Sequence, residues 1–232
     1  MHQRLFDVGL LSLKAVNGFF DLHTGGQQRP VFFDIDETYP SLRKIDQKYP
    51  AIREEVMGIL PDKASIPRYH ELDAAQTKIS AETEHDWKVF MLYAMGETFE
   101  ANRKRCPQTT AALDEIPHLF QAFFSILDPG KSVPEHCGPY RGYLRYHLGL
   151  KVPENNPPSI RVKDQVHTWQ EGQSVLFDDS WNHEVINESD DIRVVLIVDF
   201  LRPMPQPFSG LNRAVTSIIR RMYAKGLAKK LR

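Results

Sequence analysis

Short apolar runs in the second half of the sequence, with no helical segment between them, limit most strongly what this chain can fold into. They lie in AFFSILDPG (122–130), GYLRYHLGLKVP (142–153), SVLFDDS (174–180) and IRVVLIVDFLRP (192–203). The second run alternates with a period of two and the last is rich in β-branched residues, as strands are. Successive strands without crossover helices predict an antiparallel sandwich or jelly roll rather than a doubly wound parallel sheet.

The first half of the chain is predicted to be mainly helical. PSLRKIDQKYPAIREEVMGIL (40–60) mixes strong helix formers with spaced apolar residues and ends before Pro61, and TTAALDEIPHLF (109–120) predicts another short helix. Between them, WKVFMLYAMG (87–96) is apolar enough to be a buried strand. We expect a single domain, with a helix-rich part over residues 1–115, a jelly-roll core over 116–205 and a basic helix or tail over 206–232.

Composition and the N-terminus limit the class of protein. The formal net charge is −1, so no overall positive field favours nucleic acid as a partner. Two cysteines are too few for a disulfide framework and favour reduced thiols in the cytoplasm. The stretch MHQRLFDVGLLSLKAVNGFF has neither the uninterrupted apolar length of a membrane span nor the features of a signal peptide. We expect it to form a short amphipathic helix packed on the protein.

The C-terminal stretch LNRAVTSIIRRMYAKGLAKKLR (211–232) carries only basic charges. Leu211, Val215, Ile218, Ile219 and Met222 recur there at helical spacing. One interpretation is a basic amphipathic helix that makes peripheral contact with an anionic surface, such as the inner membrane, or with a partner. The other is a frayed, solvated terminal helix.

Histidines and arginines fall where strands begin, end or face inward. Arg145 and His147 share one face of the alternating strand, opposite an apolar face. His136 precedes that strand, His183 follows SVLFDD, and Arg193 opens the last strand, so the two histidines can face each other in the mouth of a jelly roll. Imidazole suits iron, zinc, copper and nickel, and a buried arginine there needs an anionic partner such as a bound cosubstrate. The alternative is an ordinary half-exposed strand with polar residues.

A glycine stands where a non-haem iron site usually has a carboxylate. The usual local form is His-x-Asp/Glu with a distal histidine, whereas residues 136–138 of this chain are His-Cys-Gly. Asp179, four residues before His183, is the nearest replacement, either as a direct ligand or through a metal-bound water. Its neighbour Asp178 is a second candidate for that role, or caps a turn.

On these residues the chain resembles the aspartyl/asparaginyl β-hydroxylase family of Fe(II)/2-oxoglutarate-dependent dioxygenases. The resemblance runs over SILDPGKSVPEHCGPYRGYLRYHLGLKVP, TWQEGQSVLFDDSWNHEV and DDIRVVLIVDFLRP, and more weakly over WKVFMLYAMGETFEANRKRCPQT. It implies a mainly β fold with N-terminal helices and a double-stranded β-helix (cupin-like jelly-roll) core. It also implies that His136 and His183 hold the iron without a protein carboxylate, that Gly138 is usual at its position, and that Asp179 acts beside the metal.

The same resemblance implies a cosubstrate pocket. Ser125 and Arg193 match positions that bind the distal carboxylate of 2-oxoglutarate, and Arg145 and His147 match others that line the pocket. The implied cofactors are Fe(II), 2-oxoglutarate and O2, with ascorbate as a stimulant. Hydroxyl transfer to a substrate C–H bond would accompany conversion of 2-oxoglutarate to succinate and CO2.

Three functions are compatible with these residues. The first is hydroxylation of the β-carbon of an aspartyl or asparaginyl unit in a peptide, a natural product or the free amino acid. The second is hydroxylation of a lipid A-type acyl chain at a membrane surface, because Phe123 and the apolar FMLYAMG segment differ from protein-modifying members and LRYHLGL is shared with the lipid branch. The third is a cupin-like sensor of iron or 2-oxo acids without turnover.

Other histidines and tryptophans carry no functional prediction. His70, His118 and His167 are isolated in the sequence and expected at the surface, whereas Trp169 and Trp181 are expected to be packing residues.

Overall fold

The computed structural model describes residues 2–73, 76–81 and 85–230, with side chains described between 13 and 221. Its main strands form two antiparallel sheets. The large sheet has the order β1-β9-β6-β11-β4-β2-β3 and the small sheet the order β5-β10-β7-β8. This arrangement confirms the predicted jelly roll, a double-stranded β-helix. The strands are β1 (Phe32–Phe33), β2 (Trp87–Ala94), β3 (Glu97–Thr98), β4 (Leu119–Leu127), β5 (Val133–His136), β6 (Tyr143–Lys151), β7 (Ser159–Val162), β8 (Gln165–Thr168), β9 (Ser174–Phe177), β10 (His183–Ile186) and β11 (Arg193–Leu201).

Helices dominate the chain before β4, as predicted, and one long helix follows β11. Short 3-10 turns lie at Gly26–Gln28, Pro40–Leu42 and Leu60–Ser65. The α-helices are α1 (His2–Thr24), α2 (Ile35–Thr38), α3 (Arg43–Gln47), α4 (Tyr49–Ile59), α5 (Tyr69–Leu72), α6 (Thr77–Ser80), α7 (Glu100–Arg105), α8 (Pro107–Asp114) and α9 (Phe208–Lys230).

Prolines explain where these helices differ from the sequence-based expectation. The helix expected over 40–60 is in two pieces, because Pro50 in the first turn of α4 has no backbone N–H with which to continue α3. The helix expected over 109–120 ends at Asp114, shortly before Ile116, whose helical conformation Pro117 disfavours. The ambiguous segment at 87–94 is a buried strand of the large sheet, β2.

The large sheet is buried on both faces, which is why β6 is not the half-exposed strand of the alternative interpretation. On its outer face, Leu144, Tyr146 and Leu148 belong to the same core as apolar residues of α3, α4 and α8. On its inner face, Arg145 and His147 point into the space between the two sheets. Strand alternation therefore places the polar residues of β6 inside the jelly roll.

The two terminal helices pack together against one end of the sheets. The rings of Phe19 in α1 and Phe208 in α9 are 4.8 Å apart, and both join the apolar cluster around Phe20. The expected packing of the N-terminal helix is confirmed, and α9 is docked along its first turns rather than solvated throughout. Ile218 on α9 remains 57% exposed, and the side chain of Met222 lies outside the described residues. Among the described helices, none combines the length and hydropathy that crossing a bilayer requires.

Candidate functional site

The two predicted metal ligands face each other across neighbouring strands of the small sheet. β5 and β10 pair with His136 opposite His183, and the two imidazole centroids are 4.2 Å apart. His136 Nδ1 lies 2.8 Å from the Pro134 carbonyl oxygen, and His183 Nδ1 lies 2.9 Å from that of Trp181. Each Nδ1–H therefore donates to the backbone and leaves Nε2 as the nitrogen for a metal. Burial lowers the pKa of both histidines, that of His183 to about 3, so both rings are neutral at neutral pH.

The space beside Gly138 is filled by the carboxylate of Asp179. A Cβ atom added at Gly138 would lie 2.6 Å from Asp179 Oδ1 and 2.7 Å from Oδ2, closer than real Cβ atoms approach oxygen. The two residues are also joined through the backbone, because Gly138 N–H donates to the Asp179 carbonyl oxygen over 2.8 Å. Glycine at 138 is thus required by Asp179, which brings a carboxylate to the place that a His-x-Asp side chain would enter.

Asp179 is held by a buried polar network. Tyr143 Oη donates to Asp179 Oδ2 over 3.1 Å, and Arg145 Nη1 lies 3.2 Å from the same oxygen. Arg145 also donates from Nε and Nη2 to the two carboxylate oxygens of Asp199, over 2.7 and 2.8 Å. Asp179 Oδ1 is buried without a hydrogen-bond partner among the described residues, and burial raises the pKa of this carboxyl against the influence of Arg145. An unpartnered oxygen here suits a hydrogen bond from a group held beside the histidines.

The adjacent Asp178 has a structural role. Its Oδ2 accepts from Arg29 Nε over 2.9 Å and from Arg202 Nη2 over 2.5 Å, and its Oδ1 accepts from the backbone N–H of Ser180 over 3.0 Å. Although burial alone would raise the pKa of Asp178, Arg202, Ser180 and Arg29 together lower it. Of the two roles open from the sequence, Asp178 therefore has that of a turn cap, within a buried ion pair.

The segment around Arg29 fixes the loop that carries Asp179 and leads to His183. The Arg29 guanidinium lies 3.6 Å from the centroid of the Trp181 ring, and Trp181 Nε1 donates to the Pro30 carbonyl oxygen over 3.3 Å. The Trp181 carbonyl in turn anchors the His183 ring. Trp181 is thus a packing residue, as expected, and it packs where it orients a candidate metal ligand.

Arg193 is a buried cation without a carboxylate partner among the described residues. It is 2% exposed, and its Nε has no hydrogen-bond partner there. Arg193 Nη1 lies 3.4 Å from Ser125 Oγ, which also accepts from Trp87 Nε1 over 3.0 Å, so the Ser125 O–H proton is left to donate elsewhere. Burial lowers the pKa of Arg193 to about 9, which keeps it charged at neutral pH. A buried, unpaired cation is costly unless a bound anion compensates it.

Further buried polar atoms lie at and around Trp169 and have no hydrogen-bond partner in the described part of the chain. They are both ring nitrogens of His147, Nε2 of His167 and Nε1 of Trp169 itself. The Trp169 ring centroid is 5.7 Å from that of His147, 6.5 Å from that of His167 and 4.5 Å from the guanidinium carbon of Arg193. Buried polar groups almost always have partners, so these atoms are suited to hydrogen-bond a polar ligand.

The structure tests the predicted exposure of the isolated histidines and the predicted need of the two inward-facing arginines for an anion. His118 is exposed as expected, whereas the expectation is wrong for His70 and His167, which are half-buried. Arg145 has two protein carboxylates already, so among the two candidate arginines the need for an external anion applies to Arg193. The predicted cosubstrate roles of Arg145 and His147 stay predictions.

The structure brings the predicted residues together inside the jelly roll and adds residues that sequence reasoning missed. Tyr143 lies on the same face of β6 as Arg145, and Asp199 on the same face of β11 as Arg193, so a period of two could have identified both. Arg29 has no comparable local signal. The predicted set is His136, His183, Asp179, Ser125, Arg145, His147 and Arg193, and the missed set is Arg29, Tyr143, His167, Trp169 and Asp199.

The donor set fits a divalent metal held by two histidines. Among the described residues, no group of three or more histidine, cysteine, aspartate or glutamate side chains is placed to hold a metal. Two neutral imidazoles with tethered Nδ1 atoms suit a metal whose remaining positions are taken by small molecules.

Comparison with known families assigns the chain. A family model described as aspartyl/asparaginyl beta-hydroxylase matches residues 46–203, which is more than half of the chain. The chain belongs to the aspartyl/asparaginyl β-hydroxylase family. Membership confirms the family that the sequence motifs predict.

Individual relatives differ in what they are named for. The chain is 44% identical over 182 residues to an ornithine lipid ester-linked acyl 2-hydroxylase of Rhizobium tropici. The aligned region covers 78% of this chain and 64% of the relative. It is 31% identical over 202 residues to aspartyl/asparaginyl beta-hydroxylase of Homo sapiens, which covers 84% of this chain and 25% of the relative. The chain thus spans less than two thirds of the length of either protein.

Among solved structures, a Pseudomonas putida prolyl-4-hydroxylase is similar over 67% of this chain and 88% of its own, with 15% identity and a TM-score of 0.43.

Proposed function

We propose that this protein is an Fe(II)- and 2-oxoglutarate-dependent hydroxylase. The observation that carries the proposal is Arg193, a buried charge with no protein carboxylate among the described residues, beside the free proton of Ser125. A guanidinium and a hydroxyl together suit one end of a dicarboxylate. The histidine pair in the same interior would hold the metal that a 2-oxo acid cosubstrate requires.

Each residue of the site has a proposed part in this chemistry. His136 and His183 would hold Fe(II) through Nε2, and Asp179 Oδ1 would orient a group bound next to them. Tyr143 and Arg145 keep Asp179 in place. When bound, iron and 2-oxoglutarate supply the oxidising power: dioxygen is consumed, one oxygen atom enters a substrate C–H bond, and the other leaves in succinate as 2-oxoglutarate loses CO2.

For the substrate, we propose an ester-linked acyl chain of a membrane lipid, hydroxylated next to its carbonyl group. The similarity to the Rhizobium tropici enzyme supports this choice, since it is the stronger of the two named similarities. Two features of the chain agree. Phe123 and Met91 add large apolar side chains to the inner face of the sheet, and α9 carries only basic charges, which favours contact with an anionic membrane. We accordingly propose a peripheral position at the inner membrane surface.

The second candidate is hydroxylation of the β-carbon of an aspartyl or asparaginyl unit. Its support is the family description and the human relative. Both candidates use the same metal and cosubstrate residues and differ only in what enters the mouth of the jelly roll, so they are separable by substrate and not by cofactor.

One assay tests the proposal and separates the candidates. Purified protein with Fe(II), ascorbate, 2-oxoglutarate and air is given an ester-linked acyl lipid in mixed micelles, an aspartyl peptide or no substrate. Succinate and the mass of the hydroxylated product are measured. We expect lipid-stimulated succinate and a product heavier by one oxygen. Stimulation by the peptide alone would favour the second candidate, and metal-loaded protein that turns over neither would contradict both.

A binding experiment isolates the cosubstrate site from catalysis. Titration of 2-oxoglutarate under anaerobic conditions is followed calorimetrically in the wild type, in Arg193→Gln and in Arg53→Gln. Arg53 is a partly exposed arginine paired with Glu171, so its substitution removes the same charge away from the cavity. We expect binding to be lost only in Arg193→Gln. Equal affinity in all three proteins would remove Arg193 from the site.

A further inference from the structure

A cavity lies beside the C-terminal helix, away from the histidine pair. It is a cleft of about 490 Å3 between α9, the end of α8, the turn before β4 and the ends of β2 and β11. A cleft of this volume accommodates a small molecule or the head group of a larger one. Its polar lining includes Asp114, His118, Arg213, Ser217 and Arg220.

The wall that α9 contributes is basic. Arg213, Ser217 and Arg220 stand at i, i+4 and i+7, so they share one face of the helix and all three line the cleft. Neither arginine forms an ion pair with the side chains described. Asp114, the acidic residue of the lining, is bound by Arg103 Nη2 over 2.7 and 2.8 Å and does not neutralise them.

Arg220 is held as a pre-formed donor. Its Nη2 donates to the Leu119 carbonyl oxygen over 2.8 Å, and its aliphatic stem covers Gly96, where an added Cβ would lie 3.6 Å from Arg220 Cδ. Its Nε is buried and has no hydrogen-bond partner among the described residues. Because this guanidinium is already fixed, little side-chain freedom is lost when an acceptor binds in the cleft.

The opposite side of the cleft is fixed and partly apolar. The His118 carbonyl oxygen accepts from Leu201 N–H over 3.1 Å, which ties the turn before β4 to the end of β11. The imidazole of His118 is exposed towards the cleft, and Leu113 and Ile116 lie beside it. A ligand that fits both sides has an anionic group for the arginines and carbon atoms next to it.

We propose that this cleft binds a phosphate ester. Two guanidinium groups, a serine hydroxyl and a nearby histidine match the several oxygens of a phosphate group, for which arginine is well suited. The ester is either the head group of a phospholipid or a soluble phosphorylated metabolite. The uniformly basic charge of α9 favours the lipid. The site does not depend on the metal centre, so the proposal stands or falls separately from the proposed hydroxylase function.

Calorimetric titration of the full chain with sn-glycerol 3-phosphate tests the site directly. We compare the wild type with Arg213→Gln and Arg220→Gln, and with Arg221→Gln as the matched control, since Arg221 is an exposed arginine of α9 that does not line the cleft. We expect about tenfold weaker binding in Arg213→Gln, which is about 1.4 kcal/mol, and no change in Arg221→Gln. Because Arg220 also contacts the backbone, Arg213→Gln decides the outcome if Arg220→Gln fails to fold.

Sedimentation with vesicles separates the two sources of the phosphate. The vesicles contain phosphatidylcholine alone or phosphatidylcholine with phosphatidate, with and without sn-glycerol 3-phosphate as competitor. Binding to phosphatidate vesicles that is lost in Arg213→Gln, kept in Arg221→Gln and reduced by the competitor supports a lipid head group. Binding of sn-glycerol 3-phosphate without vesicle binding supports a soluble ester. Two results would overturn the proposal. One is that neither sn-glycerol 3-phosphate nor phosphatidate vesicles bind. The other is that Arg213→Gln and Arg221→Gln weaken binding equally, because general attraction to a basic helix would then explain it.

Discussion

Replacing Gly138 by alanine tests the central geometric claim, that Asp179 occupies the space of a side chain at residue 138. The added methyl group would lie 2.6 Å from Asp179 Oδ1 and 2.8 Å from Cγ. The carboxylate has little freedom to retreat, because Tyr143 and Arg145 hold its other oxygen at 3.1 and 3.2 Å. The backbone conformation of Gly138 has no positive φ, so the strain comes from the contact and not from the loss of glycine.

The expected cost is that of overpacking a rigid site, about 1–3 kcal/mol. For a domain of this size, each 1 kcal/mol lowers the melting temperature by about 2–4 °C. Scanning calorimetry therefore measures a lower melting temperature for Gly138→Ala, and succinate formation falls because Asp179 is displaced. The matched control is Gly58→Ala in α4, where an added Cβ meets no atom within 4 Å. Alanine is favoured over glycine in a helix by about 1 kcal/mol, so this variant is expected to be slightly more stable than the wild type.

A second variant, Gly138→Asp, tests the same contact with a carboxylate in place of the methyl group. Gly138→Asp supplies the missing residue of a His-x-Asp motif, yet we expect it to be less stable than Gly138→Ala, because it adds a second carboxylate against a buried one. Combining it with Asp179→Gly removes the obstacle and is expected to recover part of the lost stability. A Gly138→Ala protein with wild-type melting temperature and full turnover would refute the close packing of these two residues.

Four further results are expected from the same geometry. Arg29→Ala leaves buried Asp178 with one arginine and is expected to lower the free energy of unfolding in urea by about 3 kcal/mol; a loss below about 1 kcal/mol would mean that the ion pair is not a main support of the loop. Arg193→Lys keeps the charge but loses the planar fork, so the KM for 2-oxoglutarate rises about tenfold, and an unchanged KM would contradict the proposed contact. Asp179→Ala retains measurable turnover whereas His183→Ala abolishes it, and equal loss in both would make Asp179 a true metal ligand. The folded protein lowers the pKa of Asp178 below its ordinary 3.8, so the charge of Asp178 stabilises the fold at neutral pH. This contribution is lost as the pH falls through the lower pKa of the folded state. The difference in free energy of unfolding between the wild type and Asp178→Asn is therefore expected to narrow in acid and to stay constant near neutrality.

Local patterns in the sequence are sufficient to predict the fold class and to predict that His136 and His183 face each other. The period of two in β6 assigned Arg145 and His147 to one face, and that face is the inner one. His136 and His183 could be paired because each flanks a strand in an antiparallel arrangement, and strand register then sets them opposite each other. The same period, applied to β11, would also have revealed Asp199.

The sequence predicts helix boundaries and loop contacts less well. The boundaries depend on single residues, whereas the loop contacts join residues that are far apart in the chain. Helix propensity over 40–60 is high on both sides of Pro50, so only the missing N–H divides α3 from α4. His167 looked isolated because its neighbours in space, Trp169 apart, come from other strands. Arg29 is 149 residues from the aspartate that it binds, and no spacing in the sequence indicates that contact.

The sequence by itself determines that this chain forms a jelly roll with two histidines at its mouth. It does so through the alternation of apolar and polar residues and through successive strands with no helix between them. The tertiary structure alone decided what each charged residue does there. Asp178 and Asp179 are identical neighbours in the sequence, yet one is paired with Arg29 and Arg202 and the other turns inward beside Gly138. Arg145 and Arg193 both face inward, but in the part of the chain that the structure describes only Arg145 meets protein carboxylates. Side-chain alternation is a property of neighbouring residues, whereas the partner of a buried charge is set by segments that meet only when the chain has folded.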